Sequence, residues 1–130
     1  MTESRAALIV ASDTYQDPRL RQLRAPAADV EALAQVLGDR EIGGFSVRSM
    51  RNEPRHIVEE AIEALFAESQ RGDMCLLYFS CHGVKDPAGR LYFATANTKL
   101  GLLASTAISA GWVNEQMDHS RSSGVVLLLD

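Results

Sequence analysis

His82 and Gly83 stand directly after the apolar run Leu76-Leu77-Tyr78-Phe79, with Ser80 and Cys81 between. An imidazole titrates near neutrality, so it can take a proton and return it at ordinary pH. A thiol is a strong nucleophile once ionised. A glycine permits a sharp turn and can aim its N–H at a developing oxyanion. Together these are the parts of acyl-transfer chemistry. Each also has a plainer explanation: His82 as a partly exposed turn histidine, Gly83 as a turn glycine, Cys81 as a small buried residue. Successive residues of a strand face opposite sides, so the Cys81 and His82 side chains diverge, which favours the buried reading of Cys81.

These residues need a scaffold, and the pattern around them supplies one. Ala6 to Ala11 is a short continuous apolar run, the mark of a strand buried on both faces. After the turn residues Ser12 to Pro18, the stretch from Pro26 repeats Val30, Leu33, Ala34 and Leu37 at helical spacing until Gly38. Phe45 to Met50 reads as a second, more polar strand near a sheet edge. Asn52 is placed to cap the next helix and Pro54 suits its first turn, with Ile57, Val58, Ala61, Ile62, Leu65 and Phe66 as its apolar stripe. Met74 to Ser80 is the third strand. The turn Asp86-Pro87-Ala88-Gly89, a small strand over Arg90 to Thr95 and a short helix through Ala110, Val113 and Met117 lead to a fourth strand, Gly124 to Asp130.

Strands alternating with helices predict an α/β fold, a mostly parallel sheet with helices on both faces. Active groups in such sheets gather at the C-terminal strand ends. Those ends are Ser12-Asp13, Cys81-His82-Gly83 and Asp130.

Composition narrows the function. A single domain suits the 130 residues, and a hydrophobic content of 46% can fill a core. The net charge of -4 gives no basic field for nucleic acid, although Arg19, Arg21 and Arg24 cluster locally. No apolar run has the length of a membrane span or a signal peptide, so no membrane partner and a cytoplasmic location are expected. Cys75 and Cys81 would lie about 20 Å apart along one strand, beyond disulfide reach. His56, His82 and His119 have no zinc-ligand spacing, and Asp86 and Asp118 are too scattered for calcium. No cofactor or metal is expected.

The segment Tyr78-Phe79-Ser80-Cys81-His82-Gly83 resembles the Tyr-Phe-Ser-Gly-His-Gly motif of caspase-like cysteine peptidases of the metacaspase and bacterial type. It departs only at Cys81. Leu129-Asp130 resembles the start of that family's nucleophile segment, Leu-Asp-x-Cys-x-Ser-Gly. The strand Ala6 to Ala11, Tyr15, the Leu23 to Leu33 segment with Asp29, and Leu91-Tyr92-Phe93-Ala94 agree with the family in order and spacing.

The resemblance implies a caspase-like three-layer α/β/α fold with a strand order beginning 2-1-3-4. Residues 1–130 would be a large-subunit (p20-like) catalytic domain cut before the nucleophile. It implies a cysteine endopeptidase in which His82 is the catalytic base and the Gly83 N–H serves the oxyanion. The cysteine would lie two residues beyond Asp130. The chain alone would then be inactive, and its partners would be a peptide substrate and the remaining, small-subunit-like part of the domain. For substrate binding, Asp29 matches a pocket carboxylate of the metacaspases and Asp13 lies on the same rim. Both suggest a basic P1 side chain, whereas Arg24, one residue from the caspases' pocket arginine, suggests an acidic one. Asp29 also fits a helix-terminal carboxylate and the arginines a solvated loop. The alternative function is an inactive caspase-like scaffold or sensor. A receiver-like signalling domain would need an acceptor aspartate at the end of the third strand, near where His82 stands.

Overall fold

The computed structural model describes residues 4–22, 26–120 and 123–129. Its centre is β3 (Met74–Ser80), whose residues from Cys75 onward are all buried. On one side β3 pairs in parallel with β1 (Arg5–Ala11), which pairs in parallel with β2 (Ser46–Arg51). On the other side it pairs in parallel with β7 (Ser123–Leu129). The four-stranded sheet therefore has the order β2-β1-β3-β7. This is the 2-1-3-4 order expected of the caspase-like fold, β7 being the fourth strand of that sheet.

The two-residue period of the strands divides the core. Leu8 and Val10 of β1 and Cys75, Leu77 and Phe79 of β3 face α2 (Arg55–Ala67), whose Val58, Ala61, Ile62 and Phe66 form the complementary stripe. The helix α4 (Ala110–Asp118) lies in the same layer through Val113. Its first turn is capped by the Ser109 hydroxyl, which accepts from the Trp112 N–H. Ile9, Ala11 and Tyr78 face the other way, onto Val30 of α1 (Pro26–Gly38). Helices thus cover both faces, as parallel strands require.

Of a second sheet the sequence reads one strand, the small one expected over Arg90 to Thr95. Between β3 and α4, β4 (Gly83–Lys85), β5 (Leu91–Phe93) and β6 (Ile108–Ser109) form a three-stranded antiparallel sheet, with the short helix α3 (Leu103–Thr106) before β6. The strands on either side of β5, β4 and β6, are too short to leave a readable pattern. The Asp86 turn is where expected: Gly89, at φ +83°, donates its N–H to Asp86 O and closes the β4–β5 hairpin. Phe93 stacks on Phe79 with ring centroids 4.4 Å apart, joining the small sheet to the large one.

The expected Asn52 cap does not form. Helix α2 opens at Arg55 behind an extended Pro54, and the Arg55 N–H is taken by the side chain of Asn97. Asn52 instead adopts φ +55° and spends its amide elsewhere.

Leu77, fully buried at the middle of β3, tests this packing. Leu77→Ala should lower the unfolding free energy by about 2–5 kcal/mol in urea titrations, since transfer and cavity costs add. A loss well under 1 kcal/mol would contradict the assignment of the core.

Candidate active site

The parallel pairing brings the ends of β1 and β3 to one rim, and it runs one step beyond the strands. Ser12 donates its N–H to Ser80 O at 2.9 Å. From there the strand period sends neighbouring residues apart. Cys81 continues the phase of Leu77 and Phe79 into the α2-side core and is 1% exposed. His82 continues the phase of Tyr78, over the loop between β1 and α1.

That loop holds His82 at several points. Tyr15 donates its hydroxyl to Ser12 O at 2.7 Å and accepts the His82 backbone N–H at 3.1 Å. The two rings lie 5.2 Å apart, tilted by 41°. The imidazole Nε2 is 2.6 Å from the backbone oxygen of Arg21. A carbonyl oxygen can only accept, so Nε2 carries the proton and Nδ1 is the basic nitrogen. The carbonyl of His82 receives the Ala94 N–H at 2.9 Å. Its main chain is thereby bound on both sides and its ring is oriented.

Gly83 opens β4 opposite Phe93. The Ala94-to-His82 bond makes this a non-hydrogen-bonded pair of the ladder, so the Gly83 N–H faces away from β5.

Asp13 sits on the other flank. Its carboxylate takes Arg51 Nη2 at 2.8 Å and Asn52 Nδ2 at 2.7 Å, with the Thr14 hydroxyl at 3.3 Å. Asn52 Oδ1 in return accepts the N–H groups of Asp13 and Thr14 at 3.0 and 3.1 Å. This reciprocal clamp ties the end of β1 to the end of β2 and accounts for the left-handed Asn52. Burial pushes the Asp13 carboxyl up, but the bonds from Arg51, Asn52 and Thr14, with the Arg51 charge, outweigh it and leave the pKa below its ordinary value.

Asp29 lies in the first turn of α1, and its side chain is outside the described residues, as is Arg24. The sequence does not mark Tyr15 or the Arg21 carbonyl as site groups. A tyrosine four residues past an apolar strand carries a weak signal, and a main-chain oxygen carries none. Among the described residues no group of His, Cys, Asp or Glu could hold a metal ion, neither cysteine is in a disulfide, and no helix is long and apolar enough to cross a membrane.

Tyr15→Phe keeps the ring and removes the hydroxyl between Ser12 O and His82 N–H. It should cost about 1–3 kcal/mol in chemical denaturation, because polar groups lose a buried partner. An unchanged denaturation midpoint would argue against the hydroxyl's role.

For Asp13 the depressed folded pKa sets the sign. The unfolded chain binds the proton more tightly, so the clamp contributes fully above 3.8 and is lost as pH falls through the lower folded value. The stability gap between wild type and Asp13→Asn should therefore shrink in urea titrations carried below about pH 4. A gap that stays constant to about pH 2 would contradict the shift.

The comparisons with known proteins agree with this architecture. The crystal structure of a protein from Geobacter sulfurreducens superposes with a TM-score of 0.72 at 21% identity, covering 96% of this chain and 48% of that one. The chain thus spans about half the length of that solved structure and shares its fold. No curated protein matches the sequence. The caspase domain profile matches residues 4–129, and the chain belongs to the caspase domain family of peptidases.

Proposed function

We propose that this chain is the histidine-bearing, large-subunit part of a caspase-like cysteine endopeptidase, with His82 as its proton-transfer group. Family membership supports a peptidase acting on proteins. The observation that carries the finer reading is the cradle of His82 beside the end of β7. Ser80 is in register with Leu129, so a chain continuing past Asp130 would emerge next to Cys81 and His82. A cysteine two residues on would reach the imidazole from the neighbouring strand, parallel strands lying about 4.8 Å apart.

In this reading Nδ1 of His82 takes the thiol proton. The thiolate adds to the scissile carbonyl, and the Gly83 N–H stabilises the oxyanion that forms. Collapse of the tetrahedral intermediate passes the proton from His82 to the leaving amine, and water then hydrolyses the thioester. We assign a basic P1 preference to Asp29. The Asp13 carboxylate is held by Arg51 and Asn52 and supports the rim behind it. A cytoplasmic setting suits a catalytic thiol that must stay reduced.

The test is to express the chain extended past Asp130 and assay fluorogenic peptides with Arg, Lys or Asp at P1. Arg and Lys peptides should turn over faster than Asp ones, and His82→Ala should reduce turnover roughly 100-fold or more. Full activity in that variant refutes His82 as the base. A well-folded extended chain that binds peptides without cleaving them would instead mark a scaffold.

A further inference from the structure

Asp17 is a buried carboxylate, 8% exposed, in the loop between Tyr15 and Arg21. A charge so placed needs donors, and it has four. Oδ1 accepts the Arg19 N–H at 2.9 Å and Arg19 Nε at 3.2 Å, while Oδ2 accepts Arg19 Nη2 at 3.1 Å. The fourth donor is the Leu100 N–H, 2.8 Å from Oδ2 and 83 residues away in the sequence. The carboxyl is held well below the usual carboxylate range, by the Arg19 side chain first and then by the Leu100 and Arg19 N–H groups.

The geometry joins two segments that both touch His82. Upstream of Asp17 lies Tyr15, which takes the His82 N–H; downstream lies Arg21, whose carbonyl meets Nε2. Leu100 ends the segment that begins with Ala94, the donor to His82 O. Between them Gln16 donates its N–H to Ala96 O at 3.0 Å. Tyr15, Leu20, Ala94, Val84 and Leu100 pack together along this seam. Apolar packing there is non-directional and does not determine where the Arg21 carbonyl points. The Asp17 carboxylate bonds are directional: they fix Arg19 and Leu100, and the Asp17 carbonyl accepts the Leu20 N–H, 3.0 Å away, in the turn that precedes Arg21.

We propose that Asp17 is a positioning residue for His82: its carboxylate latches the loop after β1 to Leu100 and thereby keeps the Arg21 carbonyl on Nε2. This deepens the proposed function and rests on His82 being the base, but its principal readout does not need turnover.

The test is nitrogen-15 NMR of the imidazoles in this chain, at a pH above the histidine range. Wild type should show His82 as one tautomer, protonated at Nε2. Asp17→Asn should give a mixture of tautomers, with the Leu100 amide exchanging at least about 10-fold faster, in a chain that still unfolds cooperatively. If Asp17→Asn fails to fold, Leu100→Pro removes the donor N–H while keeping a smaller apolar side chain in the seam. Lys99 before it is already extended, at φ -114° and ψ 122°, as a residue preceding proline must be. Leu100→Pro should produce the same mixture. A single Nε2–H tautomer in either folded variant overturns the proposal. In the extended, active protein Asp17→Asn should lower kcat roughly 10-fold or more with little change in KM. Should His82→Ala prove active while Asp17→Asn still scrambles the tautomer, the peptidase assignment of His82 fails and the latch stands.

Discussion

The placement of His82 depends on the bond that Ser12 donates to Ser80 O, the last rung between β1 and β3. Parallel strands end on the same side of a sheet, so the loop after β1 and the segment after β3 must leave the core together. Ser12 O also receives the Tyr15 hydroxyl, and that hydroxyl receives the His82 N–H. One continuous chain of hydrogen bonds thus runs from the sheet ladder to the histidine main chain. Shifting β3 by one residue against β1 would move this chain out of register and exchange the faces of Cys81 and His82.

The rim is secured on both flanks by carboxylates turned inward to the protein's own cations and amides. Asp13, with Arg51 and Asn52, ties β1 to β2; Asp17, with Arg19 and Leu100, ties the following loop to the segment after β5. Neither is an exposed ion pair of the weak surface kind on its carboxylate side, since both aspartates are buried. Arg55 acts similarly at the start of α2, pairing with Glu59 at 3.1 Å and donating to Ser105 O. These ties restrain the loops that carry His82's partners, and irregular segments need such restraint because they lack ladder hydrogen bonds of their own.

The large sheet was legible in the sequence because β1, β3 and β7 are long apolar runs, β2 a more polar edge strand, and helical stripes separate them. The run Met74 to Ser80 matched β3 residue for residue, and the His-Gly ending marked the rim. What escaped was built from backbone groups or from very short strands. In the small sheet only β5 was foreshadowed, by the strand expected over Arg90 to Thr95; β4 and β6 have three and two residues, too few for alternation to show. Asn52 carried the signature of a helix cap, but the same amide that could cap α2 satisfies two N–H groups at the end of β1. The Arg21 carbonyl left no trace, since every residue has one. The sequence pattern therefore reached the elements and the histidine, while its orientation came from tertiary contacts.

For the peptidase proposed above, that orientation bears on which nucleophile the site would serve. Among the described residues the partner of the imidazole is a main-chain carbonyl, a dipole without net charge, and the neighbouring aspartates are committed to arginines. A carbonyl selects the tautomer as a buried carboxylate does in a serine triad, yet it lends less stabilisation to the imidazolium that forms. A serine hydroxyl, very weakly acidic, requires that stabilisation. A thiol, with an ordinary pKa near 8.5, ionises beside a histidine without it and is intrinsically more nucleophilic. In the proposed role, the carbonyl-held His82 would therefore be better matched to a cysteine than to a serine.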